Sequence, residues 1–131
     1  MANSYTLAKE YDKALDPLAR AAAMANDSNL WERLAQVYIE REDWAKASNA
    51  LDKAIATGQL KDPYRTRVLA GITLVNGAKF AEAKASFEAA RRFASDDRER
   101  KSIEAWMRFV DDEQRRYNDI REYKVKRYAA R

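Results

Sequence analysis

The strongest constraint on this 131-residue chain is a helical spacing of small and bulky apolar residues that occurs three times. In each occurrence an aromatic residue, an alanine, a larger apolar residue and a second alanine are separated by three, four and three positions. The sets are Tyr11, Ala14, Leu18 and Ala21; Trp44, Ala47, Leu51 and Ala54; and Phe80, Ala83, Phe87 and Ala90. Because spacings of three and four return to one face of an α-helix, each set predicts a packing stripe.

A second helix is predicted upstream of each of the last two stripes. The first of these helices carries its apolar residues at Trp31, Leu34, Ala35 and Tyr38, and the second at Ala70, Gly71 and Leu74. A glycine inside a helix costs about 1 kcal/mol relative to alanine. We therefore expect another helix to cross close to Gly71.

Residues that begin or end helices separate these segments. Asp62 followed by Pro63 is typical of a helix amino terminus, and Asn76 followed by Gly77 is typical of a helix end. Asp96 with Glu99 three positions later resembles a capping box. It predicts a further helix whose apolar face holds Ile103, Trp106, Met107 and Val110.

The predicted helices form antiparallel hairpins of about 34 residues each. Hairpins of this length resemble the tetratricopeptide repeat (TPR). The matching residues are Trp31, Leu34, Tyr38, Ala47, Leu51 and Ala54 in one repeat, and Gly71, Ala83, Phe87 and Ala90 in the next. Ala35 stands where the family usually has glycine, and Arg67 stands where it has tryptophan. The resemblance implies an all-α fold of antiparallel helical hairpins stacked as a right-handed solenoid, with a capping helix at the carboxyl end.

The predicted organisation is a single domain. Residues 1–94 hold about two and a half repeats, and residues 95–131 form a capping helix and a basic tail helix. Because the first repeat lacks most of its first helix, we expect the chain to be the carboxy-terminal piece of a longer array. The stretches DSNLWERLAQVYIEREDWAKA and AGITLVNGAKFAEAKASFEAA also resemble bacterial TPR proteins encoded beside TonB energy-transduction components, which implies a periplasmic location.

Composition excludes several kinds of chemistry. The chain has no cysteine and no histidine, which removes thiol chemistry, histidine acid–base catalysis and the usual zinc ligands. Its three glycines do not form a phosphate-binding loop, and it has no apolar run long enough to span a membrane. Asp111, Asp112 and Glu113 diverge on a helix, so they predict a solvated surface and no metal site. We therefore expect a protein that is not an enzyme and that has no cofactor.

The function that the resemblance implies is that of a protein-interaction scaffold. In TPR arrays the first helices of the hairpins line a concave groove that binds a partner peptide or protein. The predicted groove residues are Asn29, Glu32, Arg33, Gln36, Arg65, Val68, Leu69, Ile72 and Val75. The last helix, around Trp106, is an alternative cover for the apolar part of this row. We expect Arg33 and Arg65 to orient an acidic partner segment.

Three further hypotheses concern other parts of the chain. The stretch from Gln114 to Arg131 is basic and contains Tyr117, Tyr123 and Tyr128, which could stack on single-stranded nucleic acid; a continuing helix is the interpretation that we favour. A hydrolase that uses only carboxylates is a more remote alternative. Self-association is also expected, through an apolar face that holds Tyr5, Tyr11 and Leu15.

Overall fold

The computed structural model describes residues 15–129, and every regular element in that part of the chain is an α-helix. The all-α prediction is therefore confirmed for these residues. In chain order the helices are α1 (described over 15–25), α2 (Ser28–Glu40), α3 (Trp44–Ala56), α4 (Pro63–Asn76), α5 (Phe80–Arg91) and α6 (Asp97–Ala129). The described residues do not include Tyr5, which was predicted for the self-association face, or Tyr11 and Ala14, which were predicted for the first packing stripe.

Each helix from α2 onwards packs against the helix that follows it. The largest contacts are within the pairs α2–α3 and α4–α5, and α3 also contacts α4 while α5 contacts α6. Short connections between consecutive helices make neighbours antiparallel, so these two pairs are helical hairpins. Within residues 15–129, no helix combines the length and the apolar character that crossing a membrane requires.

Aspartate side chains cap the amino-terminal ends of α2, α3 and α4. The carboxylates of Asp27, Asp43 and Asp62 accept hydrogen bonds from backbone N–H groups in the first turns of α2, α3 and α4. Pro63 occupies the first turn of α4, and Gly77 follows its last residue, as predicted. These bonds satisfy amide groups that the helix itself leaves without acceptors.

Helix α6 begins with the predicted cap in a slightly altered form. The Asp96 carboxylate accepts a hydrogen bond from the Glu99 amide at 2.8 Å. The Glu99 carboxylate accepts one from the Ser95 amide at 2.7 Å, one residue earlier than a standard capping box. No glycine or proline follows before Ala129, and α6 continues as a single helix of 33 residues through the basic stretch, which is the continuing helix that the sequence favoured.

The first core cluster joins α1, both helices of the first hairpin and α4. Its buried members are Leu15, Ala22, Trp31, Leu34, Ala35, Ala50, Leu51, Ala54 and Ala70. Leu15, which was expected on a face open to self-association, is therefore covered within the chain.

The second core cluster joins α4, α5 and the first half of α6. Its buried members are Leu74, Val75, Ala83, Phe87, Ala90, Ile103 and Val110. The Phe87 ring lies against Gly71: a β-carbon added to Gly71 would come within 2.6 Å of the ring. Trp106 stacks on the face of the Phe87 ring, with ring centroids 5.7 Å apart. The predicted close approach at Gly71 is confirmed, and the neighbour is the aromatic ring of the facing helix.

The stripe predicted for the first helix is wrong at one position. Ala21 is exposed, whereas Leu15 and Ala22 are buried. Alanines occupy five of residues 19–25 and therefore lie on every side of α1, so they do not mark a face. The two leucines, Leu15 and Leu18, are the larger apolar residues, and their positions determine which side of α1 packs.

Candidate functional site

A groove runs between α2 and α4, the first helices of the two hairpins. It consists of two adjoining depressions that share Glu32, Gln36 and Lys61. The remaining lining residues are Asp27, Asn29, Leu30 and Arg33 on one side, and Asp62, Arg65, Thr66 and Leu69 on the other. Six of the nine predicted groove residues line these depressions: Asn29, Glu32, Arg33, Gln36, Arg65 and Leu69.

A hydrogen bond across the groove floor holds α2 beside α4. The buried Thr66 hydroxyl donates to the half-buried Glu32 carboxylate, with the two oxygens 2.5 Å apart. A hydrogen bond to a charged group contributes more to stability than a neutral one, typically about 1.5–3 kcal/mol. The bond therefore fixes the width of the groove where the two depressions meet.

The acidic side chains of the groove already have hydrogen-bond donors within the protein. Asp27 and Asp62 cap α2 and α4, where the amino-terminal end of the helix dipole favours a negative charge. Glu32 accepts the bond from Thr66. Each of the three acids of the groove is thus already hydrogen-bonded within the fold.

The cationic side chains of the groove, unlike its acids, are open to solvent and form no ion pair among the described residues. Arg33, Lys61 and Arg65 are exposed. Within residues 15–129, none of the three makes an ion pair. These guanidinium and ammonium groups therefore remain available to a carboxylate outside the chain. The three acids of the groove are thus hydrogen-bonded within the fold, whereas its three cations form no ion pair among the described residues. The formal charges of the groove balance.

Lys61 is the groove residue that the sequence interpretation missed. It lies in the connection between α3 and α4, and it lines both depressions. Helical spacing predicts only residues on helix faces, and the position of a loop residue depends on how the loop is placed in the fold.

Two leucines supply the apolar part of the groove. Leu30 and Leu69 are half-buried, and both pack against the first core cluster while lining the depressions. An apolar contact with either leucine would remove further hydrophobic surface from water. The groove thus offers an anchor for an apolar side chain between its cations.

The other three predicted groove residues lie on the second core cluster. Val75 is 6% exposed and belongs to that cluster, so the structure corrects its assignment to an open groove. Val68 and Ile72 are half-buried and pack against the same cluster, which contains Ile103 and Val110 of α6. Because α6 packs against α4 through this cluster, it covers the apolar row that lies next to the open groove.

A third depression, away from the groove, lies between α3 and α5, and the sequence did not predict it. Trp44, Asn49, Asp52, Thr73 and Glu82 are among its lining residues. Burial and the neighbouring Glu82 carboxylate raise the pKa of Asp52 above its usual range. The two carboxylates come from different hairpins, so only the stacking of the two hairpins brings them together.

The acidic run on α6 is distributed among three different cations. Asp111 pairs with Lys84 of α5, whereas Asp112 and Glu113 pair with Arg115 and Arg116 on α6 itself. The carboxylates point away from one another, as their consecutive positions on a helix predicted. They help to fix α6 against α5 and to stabilise its middle turns.

The comparisons with known proteins give no family. No protein-family model matches the chain, and no curated protein matches it. The candidate site is therefore interpreted from its own geometry and chemistry.

Proposed function

We propose that this chain is a TPR-like stack of helical hairpins that acts as a non-catalytic protein-interaction module. Its binding site is the groove between α2 and α4, and its partner is an acidic peptide segment. The observation that carries the proposal is the groove itself, in which Arg33, Lys61 and Arg65 are exposed without ion pairs among the described residues.

The equivalence of the two hairpins supports the TPR-like stacking. Corresponding stripe residues are fully buried in α3 and α5: Ala47 and Ala83, Leu51 and Phe87, Ala54 and Ala90. Small residues at these positions let adjacent helices approach closely. Repeated hairpins of this kind place their first helices side by side, which is the relation between α2 and α4.

The chemistry of the groove favours a segment with one apolar anchor and flanking carboxylates. Desolvated apolar anchors usually dominate affinity at such sites, and charged groups at the rim act on specificity and association rate. Leu30 and Leu69 accept the anchor. Arginine and lysine at the rim then bind the carboxylates through charge-assisted hydrogen bonds.

A displayed library of random peptides tests this proposal, because it offers the groove acidic, neutral and basic segments in equal measure. The library is selected on the full chain, and the selected peptides are then measured against the double variant Arg33→Glu/Arg65→Glu. We expect enrichment of aspartate and glutamate around one apolar residue. We also expect the double variant to lose at least about tenfold in affinity, since it replaces two attractive charges by repulsive ones.

The matched control is Lys101→Glu/Arg108→Glu, which makes the same change of charge at exposed positions of α6. Its affinity for the selected peptides should stay close to that of the wild type. Equal losses in both double variants would show that only the net charge matters. Selection of peptides without acidic residues, or peptides that bind Arg33→Glu/Arg65→Glu as well as the wild type, would reject the groove as the site.

A further inference from the structure

Beyond Tyr117, the carboxy-terminal part of α6 is a helix surface without a partner among the described residues. Helix α6 has 33 residues, whereas α5, the helix that it packs against, has 12. At 1.5 Å per residue these lengths are about 50 Å and about 18 Å. A large part of α6 therefore extends beyond the helix that covers its first half.

The packing face of α6 continues into this uncovered half. Ile103 and Val110 are buried, and Tyr117 follows at the same interval of seven residues. The ring of Tyr117 meets that of Phe80, the first residue of α5, edge to face at 5.6 Å. Beyond this contact the apolar residues are open to solvent: Ile120 is 51% exposed, Val125 62% and Tyr128 79%.

Cations are interleaved with these apolar residues. With 3.6 residues per turn, Arg121 and Lys124 project within about 40° of Tyr117, and Asp119 and Glu122 project about 140–160° away from it. None of the cations at 121, 124 and 127 forms an ion pair within residues 15–129. The uncovered face is thus apolar and positively charged, and the acids of this segment lie on the opposite face.

We propose that residues 117–128 form a second docking surface, which binds an acidic amphipathic helix of another protein. A helix fits because the surface continues the α5–α6 interface, in which one helix already packs along the same face. Acidic residues fit because Arg121, Lys124 and Arg127 lie beside the apolar residues of this surface. A basic helix would repel these cations, and a neutral helix would bury them without a compensating charge. This surface is distinct from the groove between α2 and α4, and it goes beyond the proposed function.

Other occupants match this face less well. A second copy of the chain docked through the same face would bring its own Arg121, Lys124 and Arg127 against these cations, and like charges oppose such pairing. Insertion into a membrane would carry Arg121 and Lys124 towards the hydrocarbon, because they lie in the middle of the apolar face and not at its edges. Nucleic acid would attract the whole basic segment, including Arg115 and Lys126 on the opposite face.

The test uses a synthetic amphipathic helical peptide that has leucines at three- and four-residue spacing and glutamates beside them. Its control is the same peptide with lysine in place of each glutamate. Fluorescence anisotropy measures the binding of both peptides to the full chain, and the same assay is run with oligothymidylate and with phosphatidylserine vesicles. We expect the acidic peptide to bind at micromolar concentration, and the lysine peptide, oligothymidylate and the vesicles not to bind.

Two double variants with the same change of charge locate the binding face. Arg121→Glu/Lys124→Glu should weaken acidic-peptide binding by about tenfold or more, and Arg115→Glu/Lys126→Glu, on the opposite face, by less than about threefold. Ile120→Ser should also weaken binding, since it removes an apolar contact from an exposed position that the fold does not use. Both α6 double variants are also measured in the Arg33→Glu/Arg65→Glu background, where the groove no longer attracts an acidic peptide. The same difference between them should persist there, which separates the two proposed sites.

Several results would overturn the docking surface. These are no binding of the acidic peptide at millimolar concentration, equal losses in the two α6 double variants, or binding of oligothymidylate or vesicles in place of the peptide. A concentration-dependent dimer in sedimentation experiments that Ile120→Ser abolishes would also overturn it, because a second copy would then occupy the face.

Discussion

The two hairpins fill corresponding positions between their helices with side chains of different size. In the first hairpin, α2 carries Ala35 and α3 carries Leu51; at the corresponding positions of the second hairpin, α4 carries Gly71 and α5 carries Phe87. The larger side chain on one helix is matched by a smaller residue on the other. The comparison indicates that the combined volume at the helix crossing is conserved, and not the individual residues.

The two hairpins also differ in what covers them. Helix α6 lies over the second hairpin, where Trp106 stacks on Phe87 and the apolar end of α4 is covered. The first hairpin presents α2 to the open groove, with Arg33 and Gln36 exposed beside the amino-terminal half of α4. The second hairpin is thus covered by α6, whereas an open groove lies beside α2 of the first hairpin.

The largest expected effect is on the packing of the second hairpin. Phe87→Ala removes a fully buried ring that contacts Gly71 and Trp106, and it should lower the free energy of unfolding by about 3–5 kcal/mol. Urea denaturation measures the change, with Phe93→Ala, which removes a ring that is 45% exposed, as the control. A loss below about 1 kcal/mol in Phe87→Ala would mean that the ring is not part of the core.

The next effect tests whether the volumes are matched. Gly71→Ala should destabilise the protein by about 1–3 kcal/mol, because the new β-carbon meets the Phe87 ring, even though alanine favours the helix by about 1 kcal/mol. Adding Phe87→Leu gives the second hairpin the small and large residues of the first, and it should recover part of the loss. Thermal unfolding measures the stability of the single and the double variant. If the second substitution adds a further loss of stability and restores none, the volumes at this helix crossing are not matched.

The sequence predicted the core better than the edges of the site. It located the Gly71 crossing and the buried stripes of α3 and α5, because fixed helical spacing determines which residues share a face. It could not place Lys61, whose position depends on how the hairpins stack. It also left open whether Val68 and Ile72 face a partner or α6, since an apolar face predicts burial without naming the surface that covers it.

The smallest expected effect concerns Asp52 and Glu82, two carboxylates that lie close together although they belong to different hairpins. Because burial and Glu82 raise the pKa of Asp52 in the folded state, the folded protein holds this proton more tightly than the unfolded chain does. Ionised Asp52 therefore destabilises the fold slightly at neutral pH, and the penalty disappears as the pH falls below the unfolded pKa of about 3.9. Asp52→Asn should raise the melting temperature slightly at pH 7 and leave it unchanged near pH 3.

The control for that experiment is Asp119→Asn, at an exposed position on α6 away from α3 and α5. Its melting temperature at pH 7 should not rise. If Asp52→Asn lowers the melting temperature at neutral pH, the Asp52 carboxylate stabilises the stacking of the hairpins, and the repulsion from Glu82 is not the dominant interaction.

The most direct test of the proposed function is to find where a selected peptide lies on the chain. A photo-crosslinking amino acid is introduced at Gln36, which lines both depressions of the groove, or at Asn49, in the depression on the other side of the hairpins. Mass spectrometry then measures the crosslinking yield to an acidic peptide from the library selection. The groove proposal predicts a high yield at Gln36, lost in Arg33→Glu/Arg65→Glu, and little at Asn49. An equal or higher yield at Asn49 would contradict it.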